Sequence, residues 1–336
     1  MKPDLSDVLV VIPCLNEEAH LPRLLGQLLD DVGSATIVVA DGGSTDRSRA
    51  IVAAVAVEHP NVILLENPAR AQGPGINLAV KRYGAERQWL ARIDAHADYP
   101  QAYVSTLVSR ATALGVSSVV VSMETRGIGC FQRAVAAAQN SVLGTGGSAH
   151  RHGGEGRFVD HGHHALMRID AFREAGGYCE SFTHNEDAEL DHRIGLNGGK
   201  IWLEPSLSII YYPRGDPASL FRQYRKYGQG RARNQQRHKM PIKPRQLAPL
   251  VVVPAILLLL LIPVWVGFAL PFVGWAGASI AFGLYLGIRA RSGCVVWGGI
   301  AAMIMHSAWA FGYLHQRLFG RPPGASPTAW PAMEHP

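Results

Sequence analysis

The stretch VVIPCLNEE (residues 10–18) decides the fold, because a run of apolar, mostly β-branched residues ends there in a proline and several polar side chains. The apolar part lies in a predicted strand at residues 8–12, and a predicted helix follows at residues 21–30. The same alternation continues, with strands predicted at residues 36–40, 62–65, 89–93 and 116–123 and helices at residues 46–57, 76–83 and 102–114. Continuous apolar strands between helices are typical of a Rossmann-like α/β fold, a mostly parallel sheet with helices on both faces.

Acidic residues follow three of these strands at the point where each strand ends. Glu17 follows the first strand, Asp41 the second and Asp94 the fourth. In parallel sheets the carboxyl ends of the strands meet at one edge, where ligands bind. The pair Glu186 and Asp187, farther along the chain, would add more negative charge. Such a concentration predicts a divalent cation and a polyol ligand that offset it.

These residue types match what a nucleotide-sugar requires of its enzyme. The base needs a carboxylate or amide, the diphosphate needs a metal ion or cations, and the acceptor hydroxyl needs a general base. Asp94 and His96 stand two positions apart at a strand end, so both can face one metal ion. Asp187 is the candidate general base, with Glu186 as its structural partner. The pattern therefore predicts sugar transfer.

Residues 144–165 are rich in glycine and histidine and are predicted to form a long loop, a kind of segment that is often functional. The segment contains five histidines: His150, His152, His161, His163 and His164. Without cysteine partners or regular ligand spacing, they do not predict a structural zinc site. We expect the loop to line an acceptor site, where Arg151 and Arg157 would meet an acceptor diphosphate.

The charge distribution divides the chain into two parts. No acidic residue lies between Asp216 and Glu334, whereas nine lysines and arginines lie between Arg222 and Arg245. Most of them belong to a predicted basic amphipathic helix at residues 217–233. Before this helix, a helix is predicted to begin near residue 186, followed by two short strands at residues 200–203 and 207–211. Because apolar segments follow directly, we expect this basic part to face anionic membrane lipid rather than nucleic acid.

Three long apolar segments follow the basic part, at residues 248–272, 272–288 and 294–314. Each is long enough to cross a bilayer, which takes about 17–25 residues. Charged residues make up only 17% of the chain, a low share for a purely soluble protein. Pro263 leaves open whether the first segment is re-entrant, and arginines on both sides of the third leave the topology open.

Two features bear on the cellular compartment. The four cysteines (Cys14, Cys130, Cys179 and Cys294) are far apart and include no CxxC pair, which predicts unpaired thiols in a reducing compartment. The first residues, MKPDLSDVLVVIP, contain only a short apolar run and lack a secretory signal. We therefore expect the N-terminal part to stay in the cytoplasm.

Proteins of other classes fit the motifs less well. Residues 144–149 (GTGGSA) imitate the dinucleotide fingerprint, but they do not lie at the first strand-to-helix turn, where a Rossmann dehydrogenase has it. The sequence contains no GxxxxGK[ST] motif of an NTPase. A non-catalytic membrane scaffold that binds nucleotide-sugar would give no reason for acidic residues at three strand ends.

Five segments together resemble the inverting glycosyltransferases of family 2, which have the GT-A fold. The segments are VVIPCLNEE, ADGGSTDRS, RIDAHADYP, NEDAELDHRI and RQYRKYGQGR; they lie between residues 10 and 231 in the order of that family. Each is weak alone, but five in order are specific. The Asp-Ala-His motif and the apolar C-terminal part are similar to exopolysaccharide glucosyltransferases of the succinoglycan type.

The resemblance implies a set of nucleotide-sugar-binding residues: Pro13, Asn16, Glu17, Asp41, Gly43, Gly73, Asn77, Asp94, Gln223 and Lys226. Asp41 would contact the uracil, and the segment RAQGPGIN (residues 70–77) would lie near the base and ribose. Lys226 and Tyr227 stand where the family usually has arginine and tryptophan. A cation thus remains for the diphosphate, but the bidentate grip of arginine is lost.

The resemblance also implies the catalytic machinery. Asp94 and His96 match the metal motif of the family, in which aspartate is commoner than histidine at the third position. Asp98 therefore stays open as the alternative second ligand. The expected cofactor is Mn²⁺ or Mg²⁺, since imidazole also binds manganese. Asp187 matches the catalytic base, with Glu186 beside it.

The predicted protein is an inverting hexosyltransferase on the cytoplasmic side of the bacterial inner membrane. It would have a GT-A catalytic domain at residues 1–216, a basic interfacial helix and linker at 217–247, a transmembrane anchor of two or three segments at 248–319, and a tail at 320–336. It would move sugar from a UDP-sugar, such as UDP-glucose, to a polyprenyl-diphosphate-linked saccharide in exopolysaccharide or surface glycan assembly. A polyprenyl-phosphate sugar synthase and a small processive synthase remain open as alternatives.

Overall fold

The computed structural model describes residues 4–146 and 155–321 of the 336-residue chain. Within them the chain divides into two compact units. Residues 4–122 and 155–209 belong to the first unit, and residues 123–146 and 210–321 belong to the second. The second unit therefore combines a short piece from the middle of the chain with its C-terminal part.

An eight-stranded sheet is the frame of the first unit. Its strands are β1 (Val8–Cys14), β2 (Thr36–Asp41), β3 (Val62–Glu66), β4 (Trp89–Arg92), β5 (Ser118–Thr125), β6 (Arg157–Phe158), β7 (His163–Arg168) and β8 (Ile201–Tyr211). The strand order is β3-β2-β1-β4-β7-β5-β8-β6. Strands β3, β2, β1 and β4 are parallel, whereas β7 is antiparallel to both β4 and β5. The sheet is therefore mixed, and its parallel half brings the predicted strand-end motifs to one edge.

The helices of the first unit, numbered along the whole chain, are α1 (Leu21–Val32), α2 (Ser48–Glu58), α3 (Gln72–Tyr83), α4 (Tyr103–Leu114), α7 (Ile169–Glu174) and α8 (Glu186–Leu196). Helix α1 forms because leucines recur three and four positions apart, and it buries one face: Leu21, Leu24, Leu25 and Leu28. The core between the sheet and the helices includes Leu9, Val38, Ile76 and Phe172, all fully or almost fully buried.

The second unit is helical. Its helices are α5 (Cys130–Gln139), α6 (Val142–Thr145), α9 (Pro217–His238), α10 (Pro244–Leu250), α11 (Val252–Leu258), α12 (Leu270–Arg289), α13 (Gly293–Val296) and α14 (Gly298–Phe319). Helix α9 begins at a capped end, where the side chain of Asp216 accepts from the backbone N–H of Ser219 at 2.9 Å. Three stretches of this unit are long and apolar enough to cross a membrane: Pro244–Leu261, Val266–Arg289 and Gly293–Phe319. They correspond to the three predicted apolar segments.

Helices of the second unit approach each other so closely that their backbones touch. A Cβ atom at Gly228 of α9 would lie 2.0 Å from a carbonyl oxygen of α14, and one at Gly312 of α14 would lie 1.9 Å from the carbonyl oxygen of Arg225. Helices α12 and α14 do the same at Gly299, where a Cβ would lie 2.2 Å from the carbonyl oxygen of Ser279. Small residues permit such crossings, as in membrane helix pairs.

The strands and helices predicted for the first 130 residues are present, with bounds shifted by a few residues. The largest shift is at α3, which begins at Gln72 because its first turn accepts Gly73 and Pro74. Two predicted features are wrong. The two strands expected at residues 200–203 and 207–211 are one continuous strand, β8. The segment expected to be a loop up to residue 165 contains β6 and the first part of β7.

The expectation of unpaired thiols is wrong for two of the four cysteines. Cys130 at the start of α5 and Cys294 in α13 form a disulfide, with their Cα atoms 5.0 Å apart. They are 164 positions apart in the sequence and meet because α5 packs against α13. Cys14 and Cys179 are free and buried. Residue spacing alone carries no sign of a pairing that depends on helix packing.

Candidate active site

The loops after β1 and β2 are joined by hydrogen bonds at the edge where both strands end. Asn16 has a left-handed backbone (φ 57°), which asparagine tolerates better than most residues. Its side-chain oxygen accepts from the backbone N–H of Thr45 at 2.8 Å, and its own N–H donates to Ser44 Oγ at 2.9 Å. The N–H of Glu17 donates to Ser48 Oγ at 2.8 Å. Asn16 thus shapes the loop that carries Glu17.

Asp41, the predicted contact for the uracil, is buried in its own loop, with 1% of its surface exposed. Its carboxylate accepts from the backbone N–H groups of Gly43 at 3.1 Å and Ser44 at 3.2 Å. The guanidinium of Arg49 lies 3.2 Å away. Gly43 has φ 89°, a conformation that favours glycine. The carboxylate therefore closes the turn after β2.

A cavity of about 180 Å³ lies at the carboxyl ends of β1, β2 and β4. Predicted residues line it together with two from the segment expected near the base and ribose: Pro13, Glu17, Asp94 and His96, with Arg70 and Gln72. The five other residues of the predicted nucleotide set that belong to the first unit do not line it: Asn16, Asp41, Gly43, Gly73 and Asn77.

Gly73 and Asn77 of α3 instead hold the segment around Tyr178. Asn77 is buried, donates to the carbonyl oxygen of Tyr178 at 2.8 Å and accepts from its N–H at 2.9 Å. A Cβ atom at Gly73 would lie 3.0 Å from Cβ of Tyr178. These contacts fix the position of the Tyr178 side chain, whose hydroxyl reaches the charged centre described next.

Arg92, at the end of β4, is the positive centre of the site and is 5% exposed. Its guanidinium contacts Asp187 Oδ1, lies 3.4 Å from Asp94 Oδ1 and donates to the Tyr178 hydroxyl at 3.2 Å. Burial would lower the pKa of Arg92, but Asp187, Tyr178 and Asp94 raise it well above its ordinary value. Arg92 stands in the RIDAHADYP motif but is not among the site residues predicted from the sequence.

Asp94 faces the cavity with its carboxylate held on both sides. Oδ1 accepts from Gln72 Nε2 at 2.9 Å, and Oδ2 lies 3.6 Å from His163 Nε2. Burial would raise the pKa of this carboxyl, but the charges of Arg92 and His163 outweigh it and lower the pKa. Asp94 is therefore ionised and offers oxygen atoms to a cation.

His96 lies at the rim of the cavity, with its side chain 56% exposed and Nδ1 3.1 Å from Glu17 Oε1. Asp98 contacts Arg23 instead. Among the described residues, no three His, Cys, Asp or Glu side chains are grouped to hold a metal ion. Asp94 and His96 still supply a carboxylate and an imidazole at one cavity, which are ligand types that Mn²⁺ accepts. These residues fit a cation whose remaining ligands come from a bound diphosphate.

Glu186 and Asp187 occupy the first turn of α8, where the helix dipole favours acidic side chains. Burial and the charge of Asp187 raise the pKa of Glu186 to about 7. Burial also acts on Asp187, but the contact with Arg92 and the nearby His164 outweigh it and lower the pKa of Asp187 to about 2. The two neighbouring carboxyls therefore differ in charge near neutral pH.

A buried histidine lies behind Asp187. His164 of β7 is 0% exposed, and its Nδ1 is 2.6 Å from the Tyr178 hydroxyl and 3.6 Å from Asp187 Oδ1. Its Nε2 is 2.8 Å from Asp191 Oδ1. His164 lies in a strand rather than in the predicted loop, and Asp191 is not among the predicted site residues. His150, His152 and Arg151 of that predicted loop lie outside the described residues.

Comparison with known proteins identifies the family. The family model "Glycosyl transferase family 2" matches residues 9–176, half of the chain. The chain belongs to glycosyltransferase family 2. The matched residues of this family 2 enzyme include the strand-end motifs of β1, β2 and β4. They do not include Asp187, which lies beyond the match.

A relative and a solved structure agree with the family assignment. The family 2 chain is 47% identical over 313 residues to the succinoglycan biosynthesis protein ExoA of Rhizobium meliloti (strain 1021), covering 92% of this chain and 94% of that protein. The mannosyltransferase PcManGT from Pyrobaculum calidifontis, solved in complex with GDP-Man and Mn²⁺, has a TM-score of 0.59 and 16% identity. That match covers 94% of this chain and 89% of the other. The predicted GT-A fold and glycosyltransferase class are thus confirmed.

Two predicted site residues of the family 2 enzyme belong to the second unit. Gln223 of α9 donates to the hydroxyl of Tyr211 at 2.8 Å and to that of Tyr227 at 3.0 Å. Lys226 is exposed on the same helix. Their assignment to the diphosphate stays a prediction.

Proposed function

We propose that this glycosyltransferase moves a sugar, with inversion, from a UDP-sugar such as UDP-glucose to a polyprenyl-diphosphate-linked saccharide. The contacts of Arg92 are the observation that supports this reaction most directly. Arg92 contacts Asp94 on the cavity side and Asp187 on the other, so that one guanidinium joins the donor site to the general base. Inversion requires a base opposite the leaving group, because the acceptor oxygen attacks the anomeric carbon directly.

The donor occupies the cavity at the strand ends. Asp94 and His96 would hold Mn²⁺ or Mg²⁺, with Asp98 as the alternative second ligand, and a bound cation would supply positive charge to offset that of the departing UDP. Arg70 and Gln72 face the same space and orient the diphosphate and ribose. One wall of the cavity is formed by Pro13 and Glu17. Asn16 supports this wall by shaping the loop that carries Glu17. Gly73 and Asn77 act indirectly, through their contacts with Tyr178.

Asp41 and Gly43 receive the uracil, although neither residue lines the cavity in the present conformation. In the present conformation the carboxylate accepts from two N–H groups of its own turn and pairs with Arg49. One oxygen can release Arg49 and accept from the base, because Arg49 is 45% exposed and able to move into solvent. The pocket thereby selects a base that offers an N–H donor.

Asp187 removes the proton of the acceptor hydroxyl as the new glycosidic bond forms. Its carboxylate is oriented by Arg92, which prevents it from rotating away from the anomeric carbon. Glu186, half-buried beside it, supports the start of α8. Gln223 contributes an amide to the binding of the diphosphate, and Lys226 contributes a cation.

The acceptor is attached to lipid, and the reaction takes place at the cytoplasmic face of the bacterial inner membrane. Two features support this: the basic helix α9 and the three apolar stretches that follow it. The 47% identical relative is named for succinoglycan biosynthesis, which makes an exopolysaccharide the product class we favour. In this arrangement residues 1–216 are the catalytic domain, 217–247 the interfacial part, 248–319 the anchor and 320–336 the tail.

A donor panel followed by product analysis tests the proposal. Purified full-length protein is screened by thermal shift with several nucleotide-sugars, each with Mn²⁺ or Mg²⁺. Radiolabelled donors are then incubated with membranes that contain the acceptor. We expect UDP-sugars to stabilise the protein. We expect the labelled product to be an extended lipid-linked oligosaccharide. A labelled lipid monosaccharide would instead identify a polyprenyl-phosphate sugar synthase, and a long labelled polymer would identify a processive synthase. Binding of the donor without release of UDP would identify a scaffold.

The metal assignment is tested on binding rather than turnover. Calorimetry of UDP with and without Mn²⁺ should show metal-dependent affinity for the unaltered protein, and Asp94→Ala should weaken it. His96→Ala and Asp98→Ala, measured side by side, decide which residue is the second ligand. Unchanged UDP affinity in Asp94→Ala would contradict the site.

A further inference from the structure

The buried His164 is a titratable group that the proposed reaction leaves unused. Its imidazole lies between two carboxylates of α8, with Nε2 2.8 Å from Asp191 Oδ1 and Nδ1 3.6 Å from Asp187 Oδ1. Both His164 and Asp191 side chains are fully buried. His164 Nε2 and Asp191 Oδ1 make no hydrogen bond of good geometry with any described residue. The Asp191 carboxylate is therefore placed to stabilise a positive charge on the imidazole, since a buried carboxylate is costly without a positive partner.

The surroundings of the imidazole contain charged groups from several elements. They are Arg92 of β4, His163 beside it on β7, the Tyr178 hydroxyl, and Asp187 and Asp191 of α8. Arg92 is the permanent cation of this group, and it is shared between Asp94 and Asp187. No second guanidinium or ammonium group of the described residues pairs with Asp191. A proton on His164 is thus the adjustable positive charge of the cluster.

Asp187 needs help as a base. A carboxylate that is held by a buried guanidinium binds a proton weakly, because protonation would break a charge-assisted contact. General bases work best when their proton affinity matches the operating pH. Asp187 is therefore well placed to remove a proton but poorly suited to keep it. A nitrogen base lies behind it, since His164 Nδ1 is 3.6 Å from Asp187 Oδ1.

We propose that His164 and Asp191 form a dyad that receives the proton Asp187 takes from the acceptor hydroxyl. This inference rests on the proposed function, in which Asp187 is the general base. His164 and Asp191 are positioning residues in this scheme, because they touch neither substrate and act through Asp187. The dyad drives the step by giving the proton a site of higher affinity.

The proton and electron balance is simple. The acceptor O–H bond breaks as its oxygen bonds to the anomeric carbon, and the carbon–oxygen bond to the diphosphate breaks with its electron pair leaving on UDP. The proton passes to Asp187 and then to Nδ1 of neutral His164. These two atoms are 3.6 Å apart, and the distance closes to that of a hydrogen bond in the substrate complex. The Tyr178 hydroxyl, 2.6 Å from Nδ1, turns its hydrogen away at this step. Asp191 stabilises the resulting imidazolium at Nε2. After the products leave, the proton returns to solvent and His164 is neutral again.

The electrostatics of the site agree with this direction of transfer. Burial would lower the pKa of His164, but Asp191 and Asp187 outweigh burial and raise it. His164 must be neutral to accept the proton, so turnover should rise with pH as His164 loses its own. If Asp187 acted alone, its own ionisation would give turnover no pH dependence across the neutral range, because the pKa of Asp187 is lowered to about 2. The pKa of the neighbouring Glu186 is raised to about 7, so Glu186→Gln is measured as well and should leave the acidic limb of the profile in place.

The test is the pH profile of turnover in the full-length enzyme, measured in membranes with the UDP-sugar that yields product in the donor panel. Asp191→Asn removes the partner of the imidazolium. We expect it to move the acidic limb of the profile to lower pH by about one unit or more. His164→Gln should abolish that limb and reduce the plateau by about a hundredfold.

Glu189→Gln is the matched control. Glu189 is also a fully buried carboxylate of α8, but it pairs with Arg193. Its loss should lower protein yield and leave the acidic limb in place. If Asp191→Asn and Glu189→Gln both keep the unaltered profile, the dyad is refuted.

The failure of the dyad can be separated from failure of the proposed base. If Asp187→Asn is inactive at every pH and Asp191→Asn leaves the acidic limb of the pH profile unchanged, only the dyad is overturned. Residual turnover of Asp187→Asn at every pH would overturn the base assignment and the dyad with it. A moved limb in Asp191→Asn and an inactive Asp187→Asn support both.

Discussion

The two compact units differ in the kind of close contact that each contains. The first unit contains a cluster of charges, in which Arg92 pairs with Asp187 and Asp94 while His164 faces Asp191. The second unit has helices whose backbones touch at glycines such as Gly312. Buried charge is costly and sensitive to protonation, whereas glycine contacts do not titrate. Substitutions in the first unit should therefore alter pH-dependent chemistry, and substitutions in the second should alter folding at every pH.

The largest effect is expected from Asp187→Asn. The amide keeps the size of the side chain but cannot accept the acceptor proton, so turnover should fall by about a thousandfold or more. Radiolabelled product measures the loss, and calorimetry should find UDP binding nearly intact. Glu186→Gln is the neighbouring control, with a much smaller loss expected. Equal losses in both variants would contradict the assignment of the base to Asp187.

The next largest effect concerns the glycine contact between α9 and α14. Gly312→Ala would place a Cβ atom 1.9 Å from the carbonyl oxygen of Arg225, and overpacking of this kind costs about 1–3 kcal/mol or more. We expect a lower melting temperature and a smaller monodisperse fraction in detergent, at every pH tested.

Gly277→Ala is the matched control for this helix crossing. Gly277 lies in α12, and a Cβ atom there would meet nothing within 4 Å. Alanine favours helix over glycine by about 0.5–1 kcal/mol, so this variant should be neutral or slightly stabilised. Equal behaviour of the Gly312 and Gly277 variants would show that the backbones are not in contact.

A smaller effect is expected from the pH dependence of stability at Glu186. Its pKa is raised from 4.5 to about 7, so the folded chain holds this proton more tightly than the unfolded chain. Stability should therefore fall as pH rises through this window. Glu186→Gln removes the ionisation and should gain on the order of 1–3 kcal/mol at pH 8, with little gain at pH 5.

Melting temperatures of the unaltered protein and the Glu186 variant at those two pH values measure the difference. The opposite shift of Asp187 does not interfere, because its contribution is lost only as pH falls through about 2. A gain of the same size at both pH values would mean that the carboxyl is not protonated near neutral pH.

The smallest effect on activity is expected from the disulfide in the second unit. Cys130 and Cys294 should react with maleimide only after reduction, as read by mass spectrometry, and reduction should change turnover little. Cys14 and Cys179, buried and free, should react only after unfolding. Labelling of Cys294 in native, unreduced membranes would restore the expectation of unpaired thiols in a reducing compartment.

Much of the first unit could be predicted from the sequence, because its signals are local. The alternation of apolar strands and helices, with Asp94 directly after a strand, indicated the α/β fold and the binding edge. The long uncharged segments indicated three membrane-length helices in the same way, since length and composition suffice. These patterns depend only on residues that are neighbours in the chain.

The tertiary structure alone decided the partners of those residues. Arg92 meets Asp187 across 95 positions, and Cys130 meets Cys294 across 164. The glycines around His164 predicted a loop. His164 instead lies in β7, between β4 and β5 in the sheet, where it contacts Asp191. In the sequence Gly312 does not differ from other helical glycines, and its contact with α9 is visible only in the tertiary structure. Such contacts join distant segments through packing, for which local spacing and residue type carry no signal.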